Sequence, residues 1–385
     1  MAAKIGVGII GVHPARGWAS TAHIPALRAL PEYFIAAISH PDATLANESA
    51  RKFDVPRAFD NLEDLVCCPA VDLVVVTVRV PRHFQLVSAA IRSGKAVFCE
   101  WPLGNGLQEA LKLQWLAENS GIRTFAGLQS RASAELRFMR DLIRDNYIGE
   151  ALSGTLVGSG IIGGAEVPEA FTYTLDPANG AGVLNVAFAH AIDSLCFVLD
   201  DNFGDVVATL NCRRKTVRVI ESGETIPMST PDQITLAGVL TKGPIVSAHV
   251  RGGLSRATNF QMEINGTRGD LVVSGSLGYP GVADNIVRGA RDSDAQLRTL
   301  AIPDPYLDHK EISGPALNVL RQYAQIATDL TTGSKSAPSF ADACVLHRLI
   351  DATERAAATG SKQKLYVHDD AGIRKDSGML QDART

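Results

Sequence analysis

The sequence predicts an α/β protein in which an N-terminal doubly wound parallel-sheet domain is followed by a C-terminal α/β domain built on an open antiparallel sheet. Three observations carry this. From Ile5 to Gly127, short apolar runs alternate with stretches that place apolar residues at helical spacing, as strands buried on both faces and their crossover helices do. The first of these runs ends in a glycine-bearing turn. After Leu128 the alternation gives way to strand-rich sequence punctuated by hairpin turns. A chain of 385 residues divides into about two domains. The boundaries expected are 1–128 and 129–368, with a polar tail over 369–385.

Taken in order, Ile5-Gly6-Val7-Gly8-Ile9-Ile10-Gly11 is the first strand, Trp18 to Leu30 a helix that Pro31 interrupts, and Phe34 to Ile38 the second strand. Together they form a βαβ unit. Asp72 to Val78 is another strand, followed by Arg79-Val80-Pro81-Arg82-His83 and an amphipathic helix to Gly94. Lys95 to Cys99 is a strand that stops at Glu100-Trp101-Pro102. A helix over Gly106 to Asn119 and a strand over Arg123 to Gly127 complete the alternation. Beyond it come a helix from Ala132 to Asp145 and strands from Leu152, Gln233, Pro244, Phe260 and Asp270. Helices over Pro315 to Thr332 and Phe340 to Ala358 close the chain.

Composition narrows the partners. A net charge of -4 and a pI near 6.1 leave no basic footprint, so direct nucleic-acid binding is disfavoured. Hydrophobic residues at 46% and charged residues at 20% are those of a globular protein. No apolar run reaches the roughly 18 residues of a membrane helix, and the first residues lack a signal-peptide pattern. Six scattered cysteines read as free thiols in a reducing cytosol, so a cytoplasmic location without membrane contact is expected. No Cys/His spacing forms a zinc site.

In a βαβ unit, a glycine-rich turn lets backbone amides face a pyrophosphate. Gly11 can serve as the first glycine, but His13 stands where a second should be and Gly17 arrives late, so a plain structural turn remains the alternative. An NAD site places an acid at the tip of the second strand. Here that tip reads Ser39-His40-Pro41-Asp42, which admits NADP as well as NAD. Glu100 and Trp101 end a strand at the sheet edge where ligands bind in such folds.

These motifs, with Tyr147-Ile148-Gly149, the segment from Gly180 to His190 and Ile264-Asn265-Gly266-Thr267-Arg268-Gly269, resemble the glucose-fructose oxidoreductase/inositol dehydrogenase (Gfo/Idh/MocA) family over nearly the whole chain. Trp18 with Thr21-Ala22-His23, Val78 to His83, Phe98 to Trp101, Leu128 to Arg131 and Phe188 to Asp193 are similar to its galactose-pathway repressor branch. The resemblance implies an N-terminal Rossmann domain with NAD or NADP lying between the domains. It assigns Gly11, His13, Gly17, Trp18, Ser39, His40, Val78, Arg79, His83, Glu100, Trp101 and Gln129 to the cofactor. It also implies a catalytic role for His190, with Glu100 or Tyr173 assisting. The family's Glu-Lys-Pro lysine is here Trp101, and the aspartate four residues before the histidine is Val186. Two functions are therefore expected as alternatives. One is an NAD(P)-dependent oxidoreductase acting on a sugar or related small polyol or carbonyl compound. The other is a dinucleotide-binding regulator without chemistry, with a protein partner. In either case the open sheet implies a homodimer or tetramer.

Overall fold

The computed structural model describes residues 4–281, 285–309 and 312–365; the tail expected over 369–385 lies outside the described residues. Six strands form one parallel sheet because each is an apolar run with no polar face to offer water. They are β1 (Ile5–Ile10), β2 (Tyr33–Ser39), β3 (Ala58–Phe59), β4 (Leu73–Val76), β5 (Ala96–Glu100) and β6 (Thr124–Gly127). Their order, β3-β2-β1-β4-β5-β6, is that of a doubly wound dinucleotide fold, with the switch point between β1 and β4. Every residue of β4 is buried.

The helix expected over 18–30 is wound differently. A π-helical turn, Ala19–His23, runs into α1 (Ile24–Ala29), which has Pro25 near its start. Proline supplies no amide to the turn behind it, and the winding widens there. Two helices not anticipated from the sequence follow: α2 (Ala43–Lys52) and α3 (Leu62–Cys67), capped by Asp42 and Asn61 side chains. Then come α4 (His83–Arg92), α5 (Leu107–Ser120) and α6 (Ala134–Arg144), close to their expected bounds.

The second sheet has nine strands. In chain order the C-terminal strands are β7 (Ala151–Gly160), β8 (Glu166–Val167), β9 (Phe203–Asn211), β10 (Thr216–Val219), β11 (Thr225–Pro227), β12 (Gln233–Leu240), β13 (Ile245–Gly252), β14 (Phe260–Gly266), β15 (Gly269–Gly275), β16 (Asn285–Arg291), β17 (Arg298–Thr299) and β18 (Gln363–Lys364). The large sheet runs β17-β16-β15-β14-β7-β13-β12-β9-β18, and β8, β10 and β11 make a small separate sheet. The expected antiparallel sheet is present with one exception, the parallel pair β7 and β13, which makes it mixed. The hairpins β12–β13 and β14–β15 flank β7 on either side, so only one of its neighbours can run against it.

Helices α7 (Ala189–Leu199), α8 (Pro315–Thr332) and α9 (Phe340–Thr359) complete the fold. One apolar core runs from a face of the parallel sheet through α7 and α9 to the large sheet. Helix α8 instead crosses back: Val319, Leu320, Tyr323 and Ile326 pack with Val7, Ile9 and Phe98 on the other face. The stretch Pro177–Leu199 corrects a second expectation, being long and apolar enough to cross a membrane; 83% of its most apolar window is buried inside the fold. All six cysteines are free thiols.

Candidate functional site

The C-terminal ends of β1, β5 and β6 bring the first part of the site to one edge. Gly11 ends β1 at φ +97°, and a Cβ there would stand 2.7 Å from Val78 Cγ1, so neither the backbone nor the neighbour admits a side chain. Its amide and that of Val12 donate to the Ser39 carbonyl, which joins the turn to the tip of β2. Gly17, also at positive φ, closes the turn, and its carbonyl accepts from the Ser20 and Thr21 amides. Trp18 packs half-buried against the α1–α8 core, with its indole N–H buried and without a protein acceptor.

Glu100 ends β5 in a fixed pose. Its Oε1 is 3.0 Å from His23 Nε2, and His23 Nδ1 is 2.7 Å from the Tyr323 hydroxyl. An ionised carboxylate only accepts, so His23 Nε2 donates to it. A Cβ on Gly127 would meet that carboxylate at 2.8 Å, so glycine at the end of β6 is what leaves room for it. Just beyond, Gln129 Oε1 and Ser130 Oγ are buried with no partner.

From the second domain, α7 supplies His190 and the β15–β16 connection supplies Tyr279, their rings stacked with centroids 4.7 Å apart. Burial lowers the His190 imidazole to about 4, so it is neutral near pH 7, and its Nδ1 has no partner. The aspartate that the resemblance would supply four residues earlier is Val186. Burial first, then the Glu100 carboxylate, push the Tyr279 phenol well up, so it keeps its proton. Gly281 packs against both Ser130 and the Tyr279 ring.

Trp101 is not an open wall of the cleft. Its indole N–H donates to the Asn185 carbonyl at 2.6 Å, within the π-helical turn Leu184–Phe188 that leads into α7, and its ring lies 4.5 Å from that of His347 on α9. The residue at the lysine position thus holds the turn that aims His190. His83 also differs from expectation. Both its ring nitrogens face carbonyls, those of Pro102 and Val78, each at 2.8 Å, so it ties two loops together and has no nitrogen left for a cofactor. Tyr173 lies under Arg79, guanidinium to ring centroid 4.5 Å, which ties the segment after β8 to the segment before α4; among the described residues it makes no ring contact or hydrogen bond to His190. His13, in the turn after β1, and His40, just after β2, meet each other with ring centroids 6.2 Å apart.

Asp193, one helical turn from His190, neither orients it nor faces solvent. It is buried and receives Nε and Nη2 of Arg131, whose Nη1 reaches Asp342 at 2.9 Å. In the stretch Pro303 to His309, Tyr306 donates to Asp141 and Asp308 pairs with Arg321. A cavity of about 540 Å³ lined by Arg131, Arg137, Arg140 and Asp200 lies away from the sheet edge. His23, Tyr279 and Tyr323 were not singled out as site residues from sequence. His23 left a signal only as part of the Thr21-Ala22-His23 motif, and Tyr279 only as an aromatic in the glycine-rich run Gly275 to Gly281. Among the described residues no group of three or more metal-ligating side chains exists.

The unpaired Gln129 Oε1, Ser130 Oγ and Trp18 Nε1, with a turn that has glycine at both ends, fit a dinucleotide whose amide and hydroxyls would satisfy them. The class follows. Residues 5–128 match the model of an oxidoreductase family's NAD-binding Rossmann fold (GFO_IDH_MocA), and residues 135–275 match that of the Gal80p C-terminal domain. Among its relatives, the galactose/lactose metabolism regulatory protein GAL80 of Saccharomyces cerevisiae is 27% identical over 94% of both chains. The 1,5-anhydro-D-fructose reductase of Ensifer adhaerens is 26% identical over 69% of this chain and 74% of its own. The crystal structure of a super-repressor mutant of the yeast Gal80p superposes with a TM-score of 0.85 at 25% identity, covering 94% of this chain and 98% of that one.

Proposed function

We propose that this chain is an NAD(P)-dependent oxidoreductase acting on a sugar or a related small polyol or carbonyl compound. The observation that carries the reading is the convergence, at one sheet edge, of a held carboxylate, a neutral histidine and a protonated phenol beside unpaired buried acceptors. Leaving a buried polar atom unsatisfied costs about 1–3 kcal/mol, a cost that a bound ligand offsets. When bound, the nicotinamide supplies hydride transfer. The chain's own residues then have one proton to manage. His190 Nδ1 accepts it from a hydroxyl, or the Tyr279 phenol donates to a carbonyl oxygen, while Glu100 stays anchored by His23. Incubating the protein with NAD(P)+ or NAD(P)H and a panel of sugars and sugar acids, and following nicotinamide absorbance, is expected to reveal turnover. His190→Ala should reduce it by roughly a hundredfold or more with nucleotide affinity little changed. Equal rates in the variant would remove His190 from the chemistry.

A second reading, a dinucleotide-binding regulator with a protein partner, is favoured by Trp101, whose N–H is spent on Asn185 and which carries no proton to donate elsewhere. It also agrees with the likeness to GAL80. Nucleotide binding with no turnover across the panel would select it.

The outer face of the large sheet supports self-association. Val207, Thr209, Thr235, Ile245 and His249 are exposed there, with Val157 and Val239 half-buried among them. Pairing two such faces makes a homodimer, or a dimer of dimers. Sedimentation at micromolar concentration is expected to give at least twice the chain mass, and a monomer would contradict it. The free thiols suit a cytoplasmic location.

A further inference from the structure

Beside the loop that follows β5 lies a smaller cavity of about 270 Å³, far above the roughly 10–15 Å³ that one water needs. Trp101, Asn105, Asn185, His347, Asp351 and Glu354 are among its walls, and Glu100, His190 and Tyr279 are not. It is therefore a different space from the sheet-edge site. An occupant would touch Trp101 and Asn185, the pair that holds the turn leading into α7. We propose that this cavity binds a small primary ammonium compound, held by the Glu354 and Asp351 carboxylates and by hydrogen bonds to Asn105 and His347.

The walls carry two carboxylates and, among the described residues, no lysine or arginine. Asp351 Oδ2 accepts from Arg355 at 2.8 Å, which leaves Oδ1 open. Glu354, one turn further along α9, has no ion pair among the described residues, and burial first, then Asp351, raise its carboxyl, as happens to a carboxylate without a counterion. His347 is 4% exposed, and its Nε2 is buried with no hydrogen-bond partner. Burial, with the nearby His83, lowers the ring to about 3, so near pH 7 it is neutral and one of its nitrogens is an acceptor. Asn105 Nδ2 donates to the Ala178 carbonyl at 2.8 Å, which leaves Oδ1 to accept, and glycine at 180 gives that oxygen its room.

Acceptors of this kind suit a head group that only donates and carries positive charge, which is what an ammonium is. A metal ion fits less well, since among the described residues no group of three or more metal-ligating side chains exists. An anion would be drawn to the start of α5, which borders the cavity. That end is already answered: Glu109 on α5 accepts the Asn105 amide through Oε2 at 2.8 Å. A quaternary ammonium has no N–H to donate and relies on open aromatic faces. Trp101, 6% exposed and packed on His347, offers little of one.

The test is calorimetric titration of the purified full chain with ethanolamine and propylamine hydrochlorides at about pH 7, where alkylamines are protonated as lysine is. Saturable binding of one amine per chain is expected, with a Kd of about 1 mM or tighter. Glu354→Gln should weaken it by roughly tenfold or more, as loss of a charge-assisted bond implies, and Glu354→Lys should abolish it by placing its own ammonium there. Glu354 lies at an exposed position of α9, so both variants should melt with the wild type. No saturable heat up to about 10 mM amine overturns the site, as does equal binding by Glu354→Gln. Equal binding of tetramethylammonium or potassium chloride overturns the hydrogen-bonded ammonium, and binding of acetate in its place overturns the sign of the site. None of these outcomes depends on whether a dinucleotide occupies the sheet edge.

Discussion

Arg131→Met is expected to lower the free energy of unfolding by about 3–5 kcal/mol, the usual consequence of removing one partner from a buried ion pair. Arg131 sits where the loop after β6, α7 and α9 meet. Its guanidinium is 19% exposed, and the Asp193 carboxylate it covers only 3%. Without it Asp193 would be a buried charge with no counterion, and α9 would lose its tie through Asp342. Double replacement, Arg131→Met with Asp193→Leu, should recover most of the loss, because an apolar pair of similar volume needs no desolvation. Chemical denaturation of the three variants checks this. A single variant within about 1 kcal/mol of wild type would contradict it.

That cluster also shows how far the sequence could be read. Periodicity sees neighbours along the chain, and the parallel sheet is built from such neighbours, so β1, β4, β5 and β6 were legible as apolar runs. Arg131 and Asp193 are 62 residues apart, and His23 and Tyr323 are 300 apart. Tyr323 falls at helical spacing with Val319, Leu320 and Ile326, which reads as core, and its second role on His23 leaves no mark in α8. Trp101 was legible as a departure from a family motif, but its partner Asn185 was not, because a backbone carbonyl has no signature in sequence. Strand direction was hidden for a related reason. The patterns of β7 and β13 specify a buried and an exposed face, not which strand lies between two hairpins.

Acidification from about pH 6.5 to about pH 4 is expected to cost several kcal/mol of stability, about 3 from His190 and a comparable amount from His347. Burial lowers His190 to about 4; burial, with the nearby His83, lowers His347 to about 3. In the unfolded chain both imidazoles take a proton near 6.5. The unfolded state therefore binds more protons between the two values, and stability falls as pH drops through that window. Asp342 adds a later loss. Burial alone would raise its carboxyl, but Arg131 and Ser339 override it and hold it below 3.8, so its contribution is present above that value and disappears at lower pH. Thermal unfolding of the wild type and of His347→Leu at pH 7 and pH 5 separates these contributions. The variant should lose less on acidification, and an equal loss in both would remove His347 from the account.

The binding of reduced nicotinamide coenzyme to the purified wild-type chain, followed by fluorescence, tests the central claim most directly. The glycine turn, the unpaired Gln129 and Ser130 and the held Glu100 predict saturable binding of one dinucleotide per chain. The absence of binding for both NADH and NADPH would contradict the assignment of this sheet edge as a cofactor site, and with it both functional readings.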